Sequence, residues 1–180
     1  MSEGARRRLL EIARASIEEH LKTGNLPHLQ EEDQELLQPL AVFVSLKQAG
    51  TLRGCIGSIE ADRPLYLAVS SAAVASSTQD PRFPSLSLEE LPSTTIEISI
   101  LSPLKRMIDP AEIQIGVHGL FVSHGNRQGI LLPQVALEMG WDREMFLRQV
   151  CLKAGLPQDT WQWGAKVYLF TAEVIREKVP

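Results

Sequence analysis

The sequence predicts an α+β fold: a mainly antiparallel sheet with flanking helices. Three observations carry this expectation. Two pairs of strand-like runs are each joined by a short turn, the pattern of hairpins. Helical periodicity is confined to segments that stand apart from those runs. Strands and helices do not alternate in the rhythm of a parallel βαβ sheet. A length of 180 residues fits one domain, or one compact domain with two lobes.

Leu9, Ile12, Ala13, Ile17 and Leu21 share one face of a helix from Ala5 to Leu21, and Gly24 stands where it should stop. A polar connector runs from Asn25 to Pro39. "AVFVSLKQAGTLRGCIGSIE" is a hairpin turning at Gln48–Thr51. Asp62 is placed as the N-cap of a helix to about Ser77, with Pro64 in its first turn. Asp80–Pro84, "DPRFP", is a loop, because prolines hold the preceding residues extended. Ser87 and Glu90 have capping-box spacing for a short helix. In "TTIEISILS", Ile96, Ile98 and Ile100 point one way, and Glu97 and Ser99 the other. Asp109-Pro110 starts a helical turn, and a second hairpin turns at His124–Arg127. Asp142 caps a last helix to about Ala154, and "AKVYLFTAEVI" reads as one closing strand.

Composition narrows the function class. Hydrophobic residues make up 44% and charged residues 22%, which supports a sizeable core. The net charge of −4, with no interleaving of basic and aromatic residues, argues against a dedicated nucleic-acid binder. Neither Cys55 nor Cys151 has CxxC or Cys/His zinc spacing, so no metal site is expected. Two widely separated thiols suit a reducing compartment. Glu11 and Arg14 interrupt the apolar run after Arg8, unlike a secretory signal. No run approaches the ~20 apolar residues of a membrane span. The expected location is the cytoplasm.

"LRGCIG", Leu52–Gly57, is the most unusual stretch. Strand alternation puts Arg53, Cys55 and Gly57 on one face and Leu52, Gly54 and Ile56 on the other. A guanidinium beside a thiol favours the reactive thiolate. Gly54 and Gly57 imply a bulge or a close approach to the backbone. Cysteine is also a common small core residue, so packing competes with reactivity at Cys55. Cys151 lies on the apolar face of its helix and is assigned to the core. Asp80 and Arg82 form a second candidate pair on a stiffened loop, and Glu97 faces away from the isoleucines toward an arginine or solvent. His118 and His124 are six residues apart on one strand, or ~20 Å, too far to share a metal. No P-loop, GxGxxG or Ser-His-Asp spacing is present, and no cofactor is indicated.

"LRGCIGS", "DPRFP", "IEISILSP", "GLFV", "LLPQVA", "WD", "FL" and "CLKAGL" occur in the order and spacing of the AMMECR-type family, which the chain resembles from about Ala41 to Phe170. "LRGCIG" is that family's hallmark, and "AAVASSTQDPRF" is more serine-rich than the family pattern. The resemblance implies a single domain over 1–180, its larger lobe built from both chain ends and its smaller lobe within about 103–158. It implies no settled activity. Prokaryotic members are linked to a Memo-type protein, similar to extradiol dioxygenases, and to a radical S-adenosylmethionine protein, which are the partners it implies. Human relatives are associated with regulatory, nuclear or RNA-linked roles.

The residues support three readings. One is an enzyme, or a partner subunit of one, with Cys55 as nucleophile or redox thiol and Arg53 as its activator or an anion clamp. Another is a binding module in which Gly54, Gly57, Asp80, Arg82 and Glu97 shape a site for a small anion or a protein tail. RNA binding ranks last.

Overall fold

In the computed structural model, residues 1–178 are described, and they form two compact units. The first unit contains residues 1–101 and the chain from Glu173 onward; the second contains Ser102–Ala172.

The first unit is built on a four-stranded sheet in the order β2-β1-β3-β8. β1 (Val42–Gln48) and β2 (Thr51–Ser58) form the expected hairpin, and β1 also pairs antiparallel with β3 (Thr94–Leu101). Ala49 and Gly50 both take positive φ, the backbone a two-residue hairpin turn needs to match strand twist. Helix α1 (Glu3–Thr23) is capped by Ser2 and ends at Gly24 in the left-handed conformation. A short α2 (Gln34–Leu37), capped by Asp33, interrupts the connector.

α3 (Leu65–Thr78) starts at Pro64, and no side chain caps it; Asp62 bonds Arg63 instead of serving as the expected N-cap. Glu90 accepts the Ser87 N–H as the capping-box spacing anticipates, but the backbone there forms a turn and a 3-10 segment, Leu91–Ser93, in place of an α-helix.

One face of the sheet is apolar. Val42, Val44 and Leu46 of β1 and Ile96, Ile98 and Ile100 of β3 pack against Leu9, Ile12, Ala13 and Ile17 of α1 and Leu65, Val69 and Ala73 of α3. Each valine, leucine or isoleucine among them contributes about 1.5–3 kcal/mol when fully buried. The small residues of α3 let the helix lie close to the hairpin. Ser76 Oγ accepts the Ile56 N–H at 2.8 Å and lies 2.7 Å from the Val44 carbonyl oxygen, so a helix side chain bridges the two strands. Arg14 ties α1 to β3 and to the closing residues of the chain. It donates to the Thr94 carbonyl at 2.7 Å and to Glu177, which in turn accepts the Ile96 N–H.

In the second unit, β4 (Lys105–Arg106), β7 (Lys166–Phe170), β5 (Gly119–His124) and β6 (Arg127–Leu131) form an antiparallel sheet in that order. It packs on α5 (Arg143–Lys153), capped by Asp142, with α4 (Pro133–Met139) alongside. Leu120, Val122, Val167 and Leu169 meet Phe146, Leu147 and Val150 in the core. Asp109 and Glu112 make a complete capping box around Pro110.

The closing segment is two strands. β7 belongs to this sheet, whereas β8 (Ala172–Arg176) joins the first. The second unit therefore runs to Ala172, past the 103–158 window, because its sheet needs β7 between β4 and β5.

Gly54 is required by a close approach. A Cβ at this position would stand 2.1 Å from the Ser76 carbonyl oxygen on α3. Gly54→Ala should cost about 2–3 kcal/mol, the range of overpacking at a site that cannot yield, and chemical denaturation of the variant would measure it.

Candidate functional site

The hallmark stretch occupies β2, an edge strand. Its register against β1 slips at one point: Leu46 faces Gly54 and Lys47 faces Leu52, so Arg53 is the extra residue of a bulge. The slip breaks simple alternation. Directly opposed residues share a sheet face, so Leu52, paired with Lys47, shares the face of Cys55, which is paired with Ser45. The expected alignment of Arg53 with Cys55 is thereby corrected. Arg53 turns to Glu90, bonding both carboxylate oxygens at 3.1 and 3.2 Å, and donates to the Pro84 and Ser85 carbonyls.

Cys55 is half-buried and outside any disulfide. Asp80, Arg82 and Ser45 hold it. Asp80 Oδ2 accepts its N–H at 2.9 Å, Arg82 Nη2 donates to its carbonyl at 3.4 Å, and Ser45 Oγ donates to its sulfur at 3.2 Å. The two stretches singled out separately in the sequence thus meet in space. Asp80, only 4% exposed, also accepts from the Arg82 backbone and from its guanidinium, the latter at 2.7 and 2.9 Å. The Arg82 guanidinium, joined by the backbone N–H groups of Cys55 and Arg82, holds the Asp80 carboxyl well below the usual carboxylate range against the opposing effect of burial. The hydrogen bonds to Asp80 raise the Arg82 pKa against the opposing effect of burial. The cation that contacts Cys55 is Arg82, through the Cys55 carbonyl.

On the same face, Ser45 stands between Cys55 on β2 and Glu97 on β3. Glu97 is not wet. It is 4% exposed, and its Oε2 accepts from Arg176 at 2.6 Å and Lys47 at 3.2 Å. Ser45, Lys47 and Arg176 join these candidates in the structure, and the sequence does not single them out. The alternation of "VFVSLK" already assigns Ser45 and Lys47 to the non-core face, and a serine and lysine within an apolar run are the available signal; Arg176 carries none.

Gly57 pairs with Phe43, and a Cβ on it would stand 2.5 Å from that ring. Cys151 is buried in the second unit, where burial pushes its thiol pKa up. His118 and His124 belong to that unit, His118 accepting the Gln114 N–H. Among the described residues, no three or more His, Cys, Asp or Glu are grouped to hold a metal ion, and no helix is long and apolar enough to cross a membrane.

The AMMECR1 family model matches residues 10–175. The chain belongs to the AMMECR1 family. It is 42% identical to Protein PYRAB00100 of Pyrococcus abyssi, over 96% of this chain and 90% of that one. It is 43% identical to a protein of Methanothermobacter thermautotrophicus, over 95% and 93%. The crystal structure of the uncharacterised protein PH0010 from Pyrococcus horikoshii superposes with a TM-score of 0.96 at 40% identity, covering 100% of this chain and 95% of that one. These AMMECR1-family relatives carry names without an assigned activity.

The geometry has two measurable consequences. Asp80 has a lowered pKa in the fold, so its stabilising effect is complete above the unfolded carboxylate value of about 3.9 and is lost as pH falls below it. Asp80→Asn should cost about 2–3 kcal/mol near neutrality, and its stability should vary less with pH below about 4 than the wild type's; denaturation at several pH values reads both. Arg82→Gln should raise the pH midpoint of Cys55 alkylation. Arg53→Gln should leave that midpoint in place and lower stability by about 1–2 kcal/mol through the lost Glu90 fork.

Proposed function

We propose that the first unit acts through Cys55 as a nucleophilic or redox thiol, on a small molecule or a partner chain presented at a cleft around it. The observation that carries this reading is the hold on Cys55 by Asp80, Arg82 and Ser45. Reactive cysteines occupy partly exposed sites beside a cation, whereas cysteines in apolar cores are inert. Cys55 fits the first description, and Cys151 fits the second. Such a thiol belongs in a reducing compartment, and we place the protein in the cytoplasm on that ground. The Memo-type and radical S-adenosylmethionine proteins implied by the family resemblance are the partners to test by co-purification.

A binding module with a packed sulfur is the second reading. The engagement of Arg53 with Glu90 and two loop carbonyls favours it, since that arginine serves as scaffold. Alkylation of the native protein with iodoacetamide across a pH series, resolved by peptide mass spectrometry, separates the two. Cys55 should label in the native state and Cys151 only after unfolding. A Cys55 that resists until the protein unfolds establishes a packed sulfur and overturns the thiol reading in favour of the binding module.

A further inference from the structure

We infer that Ser45 is a positioning residue that selects the thiolate form of Cys55, an inference that rests on the thiol reading above. Ser45 sits in the middle of β1, 5% exposed, with β2 on one side and β3 on the other. A hydroxyl buried in such a place must spend its proton on an acceptor, because an unpaired buried donor is costly. The acceptor it meets is the Cys55 sulfur at 3.2 Å. A neutral thiol accepts hydrogen bonds weakly, and an anionic one accepts them strongly. The buried proton is therefore better satisfied when the sulfur is ionised, and the bond favours the charged form.

The backbone fixes this arrangement. Ser45 and Cys55 are directly opposed across the hairpin, on the side of the Leu46/Lys47 slip where the register is regular. Cys55 directs its own N–H and carbonyl outward to Asp80 and Arg82, so the two residues face each other as a pair without direct backbone bonds, the closer of the two spacings in an antiparallel ladder.

The charged groups around Cys55 are arranged in ion pairs. Arg82 and Asp80 approach Cys55 from the loop and offset each other in an ion pair of 2.7 Å. Beyond Ser45 on the same face lie Lys47 of β1, Glu97 of β3 and Arg176 of β8, two cations around one carboxylate. Arg53 of β2 is matched by Glu90. Each of these cations is engaged by a carboxylate, and Ser45 adds a neutral donor bonded to the sulfur itself.

The test compares the pH profiles of Cys55 alkylation in the full-length protein and in Ser45→Ala, Ser45→Thr and Ser45→Val, with iodoacetamide as the probe. Ser45→Ala should raise the midpoint by about half a unit to one unit and slow alkylation at pH 7 about three- to tenfold. Ser45→Thr, which keeps the hydroxyl, should stay near the wild type. Threonine and valine have nearly the same shape, so the Thr–Val pair isolates the hydroxyl even where the alanine variant does not fold. Equal profiles for Thr and Val, or faster labelling of Ser45→Ala, would overturn the inference while leaving a reactive Cys55 standing. A wild-type Cys55 that does not label in the native state would overturn the thiol reading itself and the serine's role with it.

Discussion

A single buried carboxylate organises the first unit's candidate site. Asp80 collects the Cys55 N–H, the Arg82 N–H and two guanidinium contacts, and in doing so joins the loop after α3 to the middle of β2. A charge out of water is costly unless its lone pairs are filled, and here four donors fill them. The surroundings of Cys55 depend on this bond set. It fixes the strand's outward backbone groups and brings Arg82 onto the Cys55 carbonyl, while Arg53 is held by Glu90.

The two faces of the sheet use opposite physics. Toward the helices, isoleucine, valine and leucine fill space left by the small residues of α3, and Gly54 lets the helix backbone touch the strand. On the other face, Ser45, Glu97 and Ser99 are buried polar groups, and Glu97 is held by two cations from different strands. Buried polar networks contribute specificity when fully satisfied and are costly when they are not. The polar face carries the candidate site, and the apolar face packs the sheet onto α1 and α3.

Local chemistry made much of the fold legible in advance. Gly24 and Asp142 marked helix ends because their capping roles are intrinsic to the residue. The Ala49-Gly50 turn and the isoleucine alternation placed β1, β2 and β3 for the same reason. The features that stayed hidden depend on tertiary context. The bulge at Arg53 is a register event between two strands, and alternation within one strand cannot reveal it. The division of "AKVYLFTAEVI" between two sheets is likewise invisible to periodicity, since both halves are apolar and extended. Asp62 looks like a cap by spacing, yet an adjacent arginine takes its carboxylate. Asp80 and Arg82 were recognisable as candidates, but that they would grip the Cys55 backbone was a matter of three-dimensional placement.

The Asp80–Arg82 pair also imitates something absent from the sheet. β2 is an edge strand, and the N–H and carbonyl of Cys55 are met from outside by an acceptor and a donor, as a neighbouring strand would meet them. Exposed edges of this kind are templates for intermolecular strand pairing. A carboxylate and a guanidinium from one loop thus close the rung at which another chain would begin to zip. The loop that grips Cys55 therefore also caps the sheet at one rung of its edge, standing where the backbone of a further strand would otherwise pair.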